Sequence, residues 1–182
     1  MNILVAVVGM CGSGKSVACE YFESLGYRKV YFGGVVLEEL KKENLEITPE
    51  NEKNKRMELR NTYGMAAMAI KSLPKIDEYL KSGNVIIDGL YSWDELVVLK
   101  EIYPNMKVIS IVVDKYLRYN RLASRKSRPF TFEEAKKRDI NEIENLAKGG
   151  PISYADYYIL NNDDLDNYYK ELEKIKNNIE GE

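Results

Sequence analysis

Residues 9–16 have the sequence GMCGSGKS and directly follow an apolar run, ILVAVV. This spacing of glycines, lysine and serine is typical of a loop that wraps closely around the phosphates of a nucleoside triphosphate. Gly9 and Gly14 give the backbone access to angles that other residues resist, and Gly12 adds a third such position. An apolar strand before the motif and a helical pattern after it supply the context that this interpretation requires.

The lysine and serine that end the motif have separate tasks in this interpretation. Lys15 is expected to neutralise the β- and γ-phosphates, and the hydroxyl of Ser16 to coordinate Mg²⁺. The loop amides and the positive end of the following helix dipole face the same phosphates. The expected cofactors are therefore ATP and Mg²⁺, and the residues expected to hold the nucleotide are Gly9, Met10, Cys11, Gly12, Ser13, Gly14, Lys15, Ser16 and Val17.

A second acidic residue should support the Mg²⁺ ion, and Asp88 is the first candidate. It ends an apolar run, and the end of a strand is the usual place for this residue in such folds. An ordinary Asp-Gly turn would explain the same residue. Asp114 also follows an apolar run, but Asp is common there as the N-cap of a helix, which makes it the weaker candidate.

Nine Lys/Arg residues and two acidic residues lie at positions 115–138. The spacing of Arg118, Arg121 and Arg125 predicts that they share one face of a single helix. Guanidinium groups on one face repel one another unless an anion lies among them, and they bind phosphate well. We therefore expect a phosphate-binding lid with a hinge at Pro129, and a solvated face paired with the acidic C-terminal region is the alternative.

Short apolar runs alternate with longer amphipathic stretches along the chain, which predicts strands in alternation with helices. The apolar runs are nearly continuous, so we expect strands that are buried on both faces of a parallel sheet. The expected strands are residues 3–8, 29–32, 85–89, 108–113 and 156–160. The expected helices are residues 15–25, 34–43, 48–73, 93–103, 115–126, 132–147 and 164–179. This alternation predicts an open α/β fold with helices on both faces of the sheet.

With these motifs, the sequence resembles a small P-loop kinase of the nucleoside monophosphate kinase superfamily. More narrowly, it is similar to the archaeal adenylate-kinase-related proteins that are also described as dephospho-coenzyme A kinase-like. GMCGSGKS resembles the family's ATP loop, VIIDGL its acidic strand end and RLASR its lid arginines. The resemblance implies a three-layer P-loop NTPase fold with a five-stranded parallel sheet, in one domain of residues 1–182. It also implies a helical acceptor-binding insertion at residues 34–82 and a short lid at residues 121–138.

The same resemblance implies roles for individual side chains. The implied catalytic residues are Lys15, Asp88, Arg121 and Arg125. The implied ligands of Mg²⁺ are Ser16 and Asp88. The stretch ADYYILNN resembles the end of dephospho-coenzyme A kinases, where an Asn lies near the adenine, so Asn161 and Asn162 become candidates on the base side.

The acceptor side of the chain departs from the family pattern. Related kinases carry a Gly-Asp pair after the second strand, whereas this chain has Gly33 and Gly34 and no acid there. They also carry an arginine shortly after the Asp-Gly pair, where this chain has Tyr91. Arg56 and Arg60 remain as basic candidates for binding an acceptor phosphate, and a solvated helix face would explain them equally well.

Composition disfavours several other classes of protein. The 182 residues include no histidine, which excludes a His-based triad, and the two cysteines match no zinc pattern or disulfide framework. The N-terminus lacks the basic start of a signal peptide, and no apolar run approaches the roughly 18 residues that span a bilayer. An N-K-x-D guanine motif does not occur, which disfavours a GTPase switch.

These observations together predict a cytoplasmic kinase that moves the γ-phosphate of ATP to a small acceptor. A nucleoside monophosphate such as AMP is the first candidate acceptor, and dephospho-coenzyme A is the second. The alternative is a nucleotide-binding regulator without efficient turnover. The net charge of −2 gives no field that favours nucleic acid, so we expect neither nucleic acid nor a membrane as partner, and a monomer or homodimer.

Overall fold

The computed structural model describes residues 2–181, and five parallel strands form one sheet within that range. The strands are β1 (Leu4–Val8), β2 (Arg28–Tyr31), β3 (Val85–Asp88), β4 (Lys107–Val112) and β5 (Tyr157–Leu160). Their order across the sheet is β2-β3-β1-β4-β5, and each neighbouring pair is parallel, which confirms the predicted parallel sheet. All carboxyl ends therefore meet at one edge, where open α/β sheets bind their ligands.

Nine helices accompany the sheet in the described part of the chain. They are α1 (Lys15–Ser24), α2 (Gly33–Lys42), α3 (Pro49–Tyr63), α4 (Ala67–Leu80), α5 (Trp93–Ile102), α6 (Lys115–Ala123), α7 (Phe132–Leu146), α8 (Gly149–Ser153) and α9 (Leu165–Gly181). Helices α1 and α9 pack on one face of the sheet, and α2 to α5 pack on the other. This arrangement confirms the predicted layers of helices on both faces. No helix between residues 2 and 181 has the length and apolar character that crossing a bilayer requires.

Strand β1 is buried along its whole length, and its side chains alternate between the two cores. Leu4, Ala6 and Val8 pack with the core of α2 to α5, whereas Val5 and Val7 pack with the core of α1 and α9. Burial on both faces explains the nearly continuous apolar sequence of this strand. Because β1 is held from both sides, the loop that follows Val8 begins at a fixed place above the edge of the sheet.

The helix predicted at residues 48–73 is two helices, α3 and α4. Thr48 caps the first through its side chain, as expected, but that helix ends at Gly64, whose φ of +79° is incompatible with a continuing helix. Helix α4 then runs through Pro74 to Leu80, beyond the predicted end. Burial of Ile76 on the same helix offsets the hydrogen bond that the proline cannot make.

Helix α6 ends at Ala123, so the prediction of one helix that extends through Arg125 is wrong. Ser124 is the C-cap, and a non-helical segment leads to Thr131, which starts α7 with the predicted capping box. Arg125 therefore lies in an exposed connection and does not share a helix face with Arg118. The short helix α8, between α7 and β5, has no counterpart in the sequence prediction.

Candidate nucleotide and phosphoryl-transfer site

The loop between β1 and α1 has a backbone that only glycine accepts at three positions. Gly9, Gly12 and Gly14 have φ angles of +144°, +85° and +100°. A Cβ at residue 9 would collide with the Ile111 carbonyl oxygen, and one at residue 14 would lie 2.6 Å from Nδ2 of Asn161. Positions 9 and 14 therefore have no room for a side chain, and a glycine-rich loop of this kind can bring its backbone close to the phosphates of a nucleotide.

The start of α1 presents free backbone amides at this loop. Gly14 is its N-cap and makes no side-chain capping bond, and its first turn contains no acidic residue. The first amides of a ten-residue helix and the positive end of its dipole therefore remain available for an anion. Ser16, the second residue of this helix, is exposed, so its hydroxyl can reach a metal ion at the same end.

Lys15 lies folded back over the loop, and its Nζ donates a hydrogen bond to the carbonyl oxygen of Met10 at 2.9 Å. Burial of the ammonium, followed by the positive charge of Lys148, lowers the pKa of Lys15 from its ordinary 10.5 to about 8. Asp88 opposes this decrease but does not cancel it. The positive charge of Lys15 is thus only partly balanced by neighbouring negative charges, and a bound phosphate would stabilise it.

Asp88 ends β3 beside the loop, because its strand pairs with β1 in a register that sets Asp88 opposite Val7. Burial raises the pKa of its carboxyl group, and Lys15 and Lys29 oppose that increase. A divalent cation would remove much of this burial cost, and a carboxylate with a serine hydroxyl is a suitable donor set for Mg²⁺. The predicted pair, Ser16 and Asp88, thus has chemistry that fits the ion, although its role as a metal site stays a prediction.

A cavity of about 250 Å³ adjoins the loop on the side of α6 and β5. It brings together two residues that the sequence names separately, Arg121 and Asn161, with Asp163 at the same wall. Asn161 Nδ2 donates to the carbonyl oxygen of Ser13 at 2.9 Å, so its amide also holds the loop. Asn162 does not line this cavity, and its Oδ1 accepts a hydrogen bond from the backbone of Asp114 at 3.0 Å.

Arg118 is not part of a row of unpaired arginines on one face of α6, because its guanidinium is held by contacts within the protein. Its guanidinium pairs twice with Asp139, at 3.1 and 2.6 Å, and also donates to the carbonyl oxygen of Cys11 at 3.0 Å. Both charged side chains are buried. This pair ties the phosphate loop to α6 and α7, the helices on either side of the predicted lid segment.

An ion-pair network that the sequence interpretation missed lies near the loop; its Lys148 and Glu142 are buried, whereas Arg138 is exposed. Lys148, Glu142 and Arg138 are linked there, and Tyr91 packs against the lysine. No periodic pattern marks Lys148, because it lies in the turn between α7 and α8. Its proximity to the phosphate loop arises only when the chain has folded.

On the acceptor side, Arg60 differs from Arg56. Arg60 Nε is buried and has no hydrogen-bond partner among the described residues, whereas Arg56 is paired with Glu52 at 4.0 Å. Burial lowers the pKa of Arg60, and the nearby carboxylate of Glu95 opposes the decrease. Packing explains the glycine at position 33, because a Cβ there would collide with the ring of Tyr31.

An open groove of about 470 Å³ lies between the α3–α4 turn and α5. Tyr63 and Trp93 present aromatic surface to it, and Val97 and Asp94 complete the part nearest α5. Trp93 is 39% exposed, and its ring also packs edge to face against Tyr154. Tyr63, which lines the groove, follows Arg60 by about one turn of α3, so the arginine with its buried Nε lies about one helical turn from the groove.

Known proteins resemble this chain in sequence and in structure. A family model described as AAA domain (AAA_18) matches residues 5–146. A UPF0200 protein of Thermococcus kodakarensis is 34% identical over 182 residues, which cover 97% of this chain and 98% of the relative. A UPF0200 protein of Methanocaldococcus jannaschii is 32% identical over 180 residues, which cover 97% of this chain and 90% of that relative.

Two kinases are among the solved structures that share the fold. Shikimate kinase from Bacteroides thetaiotaomicron aligns with a TM-score of 0.62 at 14% identity, over 98% of each chain. A gluconokinase from Sinorhizobium meliloti aligns with a TM-score of 0.57 at 14% identity, over 97% of this chain and 95% of that one. At such identities the similarity shows a common fold and leaves both the activity and the substrate undefined.

Proposed function

We propose, because the chain belongs to the UPF0200 family and contains an AAA domain at residues 5–146, that it transfers the γ-phosphate of ATP to a small acceptor. The observation that carries this proposal is the meeting of the phosphate loop, Lys15 and Asp88 at one edge of the sheet. In phosphoryl transfer a protein mainly positions the reactants and neutralises charge, so the reaction needs no covalent intermediate. A nucleoside monophosphate such as AMP is the proposed acceptor.

On the donor side, the loop amides hold the triphosphate and Lys15 neutralises the β- and γ-phosphates. Ser16 and Asp88 would hold Mg²⁺, which supplies further neutralisation of the same two phosphates. We assign the adenine to the 250 Å³ cavity, where the guanidinium of Arg121 can stack on the base and the carboxylate of Asp163 can accept from its amino group. Arg121 thereby acquires a base-side contact in addition to the catalytic role that the sequence predicts.

The lid at residues 121–138 and the catalytic role of Arg125 stay predictions. The exposed position of Arg125, in the segment between α6 and α7, is consistent with a group that approaches the phosphates when this segment closes. Arg118 keeps one end of the segment attached to the phosphate loop through Cys11. Movement of the segment would therefore pivot on a fixed point beside the transferred phosphate.

On the acceptor side, we assign an anionic group of the acceptor to Arg60 and its ring to the groove of Tyr63 and Trp93. A buried guanidinium atom without a partner is costly unless a ligand completes its hydrogen bonding. Aromatic side chains provide a stacking surface for a nucleobase. A nucleoside monophosphate could place its phosphate at Arg60 and its base in the aromatic groove. The two kinases with the same fold act, by their names, on small molecules.

Dephospho-coenzyme A is the second candidate acceptor. Asn161, the residue that resembles the adenine-side Asn of dephospho-coenzyme A kinases, lines the cavity beside Gly14 to which we assign the adenine of ATP. Asp156, from the same stretch, has a structural task instead, because its carboxylate accepts from the backbone of Val108 at 2.7 Å. The resemblance of this stretch therefore bears on the donor base and does not separate the two acceptors.

An acceptor panel tests the proposal directly. Labelled ATP is incubated with Mg²⁺, the protein and, separately, AMP, CMP, UMP, dephospho-coenzyme A, shikimate, gluconate or water. The expected result is transfer to a nucleoside monophosphate that exceeds transfer to water. Tight ATP binding without transfer to any of these acceptors would overturn the kinase proposal and favour a nucleotide-binding regulator.

Arg60→Ala tests the acceptor side, with Lys53→Ala as the matched control. Lys53 is an exposed residue of the same helix, outside the groove. Loss of a charged hydrogen bond to the acceptor is expected to raise the acceptor KM by about tenfold or more and to leave ATP affinity within about twofold. An unchanged acceptor KM in Arg60→Ala, or an equal rise in Lys53→Ala, would contradict the assignment of Arg60.

A further inference from the structure

The turn between α7 and α8 returns the chain onto α7 and buries a lysine. Ala147 has a φ of +48°, and the backbone N–H of Lys148 then donates to the carbonyl oxygen of Glu142 at 3.2 Å. The side chain of Lys148 is only 1% exposed. Lysine is almost never fully buried unless it is paired, so its surroundings decide what it does there.

The ammonium of Lys148 has one carboxylate and one aromatic ring as neighbours. Its Nζ donates to Oε2 of Glu142 at 2.5 Å and lies 4.4 Å from the centre of the Tyr91 ring. The other oxygen of Glu142 accepts from Nε of Arg138 at 3.0 Å. One carboxylate therefore serves two cations, and neither cation has a second carboxylate partner within residues 2–181.

An ammonium has three N–H donors. Among the described residues, Glu142 is the only hydrogen-bond acceptor of Lys148, and the face of Tyr91 can accommodate one more N–H. At least one donor on a nearly inaccessible cation thus lacks an acceptor. Burial lowers the pKa of Lys148, and Glu142 opposes the decrease, which shows that the site compensates the charge incompletely.

The ammonium of Lys148 interacts electrostatically with the phosphate loop. Lys148 is the charged neighbour with the largest effect on the pKa of Lys15, the lysine of the phosphate loop. Cys11, inside the loop, is an electrostatic neighbour of Lys148 as well. Tyr91, which packs on the ammonium, follows Asp88 by three residues. Lys148 is thus an electrostatic neighbour of the phosphate loop, and it contacts Tyr91 in the segment that follows the Asp-Gly turn.

The charges in this neighbourhood leave an excess of one positive charge when Arg138, whose side chain is 44% exposed, is included. Lys15, Arg138 and Lys148 are cations, whereas Asp88 and Glu142 are the only carboxylates among their strongest electrostatic neighbours. Cations that share so little negative charge repel one another until an anion binds among them. Because the lysine of such a loop faces the β- and γ-phosphates, we assign the γ-phosphate to this group of cations.

We propose that Lys148 is a phosphate-contacting residue of the transfer centre, with Glu142 holding its ammonium in place between turnovers. Its free donor bonds an oxygen of the γ-phosphate, and the same contact follows the phosphoryl group as it passes to the acceptor. The contact during transfer rests on the proposed kinase function, whereas the contact with the γ-phosphate of bound ATP does not. Glu142 occupies a single donor of the ammonium, so the other donors can bond to a phosphate oxygen once the side chain turns toward the loop.

The affinity ratio of a non-hydrolysable ATP analogue to ADP tests the proposal, measured by isothermal titration calorimetry with Mg²⁺. Lys148→Met is expected to lower this ratio by about tenfold or more, since it removes a charged hydrogen bond to the γ-phosphate alone, and to leave ADP affinity within about twofold. Glu142→Gln retains the ammonium and is expected to keep the ratio. A ratio that is unchanged in Lys148→Met, or lost equally in both variants, would mean that the ion pair is only structural.

Lys55→Met is the matched control for removing a buried, paired lysine. Lys55 is 5% exposed and pairs with Glu43 and Glu58, on a helix away from the loop. Its loss is expected to lower the melting temperature and to leave the ratio of the two affinities unchanged. If Lys55→Met lowers the ratio as much as Lys148→Met does, general destabilisation explains the effect and the proposal fails.

A measurement on the unaltered protein does not depend on whether a variant folds. An ATP derivative with an acyl group on its γ-phosphate transfers that group to a lysine amine in contact with the phosphate, and mass spectrometry identifies the lysine. We expect acylation of Lys148 together with Lys15, and of neither in excess unmodified ATP. Acylation of Lys15 alone would contradict the contact of Lys148 with the γ-phosphate.

These outcomes are separable from those of the acceptor panel. If no acceptor receives phosphate but Lys148→Met still lowers the affinity ratio, the kinase proposal fails and the γ-phosphate contact stands. If transfer occurs and Lys148→Met leaves both the ratio and kcat unchanged, the kinase proposal stands and the role of Lys148 fails.

Discussion

ATP affinity is expected to decrease as the pH rises from 7.5 to 9.0, because Lys15 loses its proton over this range in the nucleotide-free protein. Burial and the charge of Lys148 lower the pKa of Lys15 to about 8. Bound phosphates favour the protonated ammonium, so its pKa in the complex lies well above that of the free protein. Binding above pH 8 therefore takes up a proton, and it weakens as protons become scarce.

The size of the effect follows from the fraction of Lys15 that is protonated before binding. With a pKa of about 8, roughly three quarters of the lysine is protonated at pH 7.5 and roughly one tenth at pH 9.0. The Kd for ATP should then rise by about eightfold, which corresponds to about 1.2 kcal/mol. An unperturbed lysine with a pKa of 10.5 would change the Kd by less than about 1.1-fold over the same range.

Calorimetric titration with Mg²⁺ and ATP at several pH values measures this change, and repeating it in buffers of different ionisation enthalpy counts the protons taken up. Lys15→Met should bind ATP more weakly at pH 7.5 and should show no comparable pH dependence. Lys148→Met should keep most of it, because burial is the leading cause of the lowered pKa of Lys15. A Kd for the unaltered protein that changes by less than twofold, or an equal change in Lys15→Met, would refute the reasoning.

Two further predictions concern the loop and its attachment. Gly14→Ala should abolish measurable ATP binding, because its φ is +100° and its Cβ would lie 2.6 Å from an amide nitrogen of Asn161. Gly83→Ala, where nothing lies within 4 Å, should bind ATP normally in the same titration, and weak binding there would point to a general folding defect. Arg118→Met should lower the free energy of unfolding in urea by about 3 kcal/mol or more, because it leaves Asp139 buried without its partner. The double variant R118M/D139L should recover most of that loss, and equal stability of the two variants would argue against a buried unpaired charge.

The arrangement of the sheet was largely predictable from local patterns. Residues of β1 form a continuous apolar run because both faces of that strand are buried, and this signal survives without any knowledge of partners. The capping box at Thr131 is similarly local, since both of its hydrogen bonds join residues three apart. The sequence prediction continued one helix across Gly64, although this glycine, which has a positive φ, ends α3 as its C-cap.

The candidate site also has one part that the sequence predicts and one part that only the folded structure shows. Its phosphate loop was predictable because the requirement lies in the backbone of consecutive residues, and glycines at positions 9, 12 and 14 express that requirement directly. Spacing placed Arg118 on a shared helix face, but only the structure shows its pairing with Asp139, 21 residues away.

The sequence by itself therefore determined the parts whose physical cause is local: the loop that cradles phosphate, the strand that carries it and the capped start of α7. Only the tertiary structure decided which charges meet. Lys148, which is distant from Lys15 in the sequence, lowers the pKa of Lys15. The buried Nε of Arg60 has no hydrogen-bond partner among the described residues. Charge interactions depend on distance in space and on burial, and neither can be obtained from the order of residues until the chain is folded.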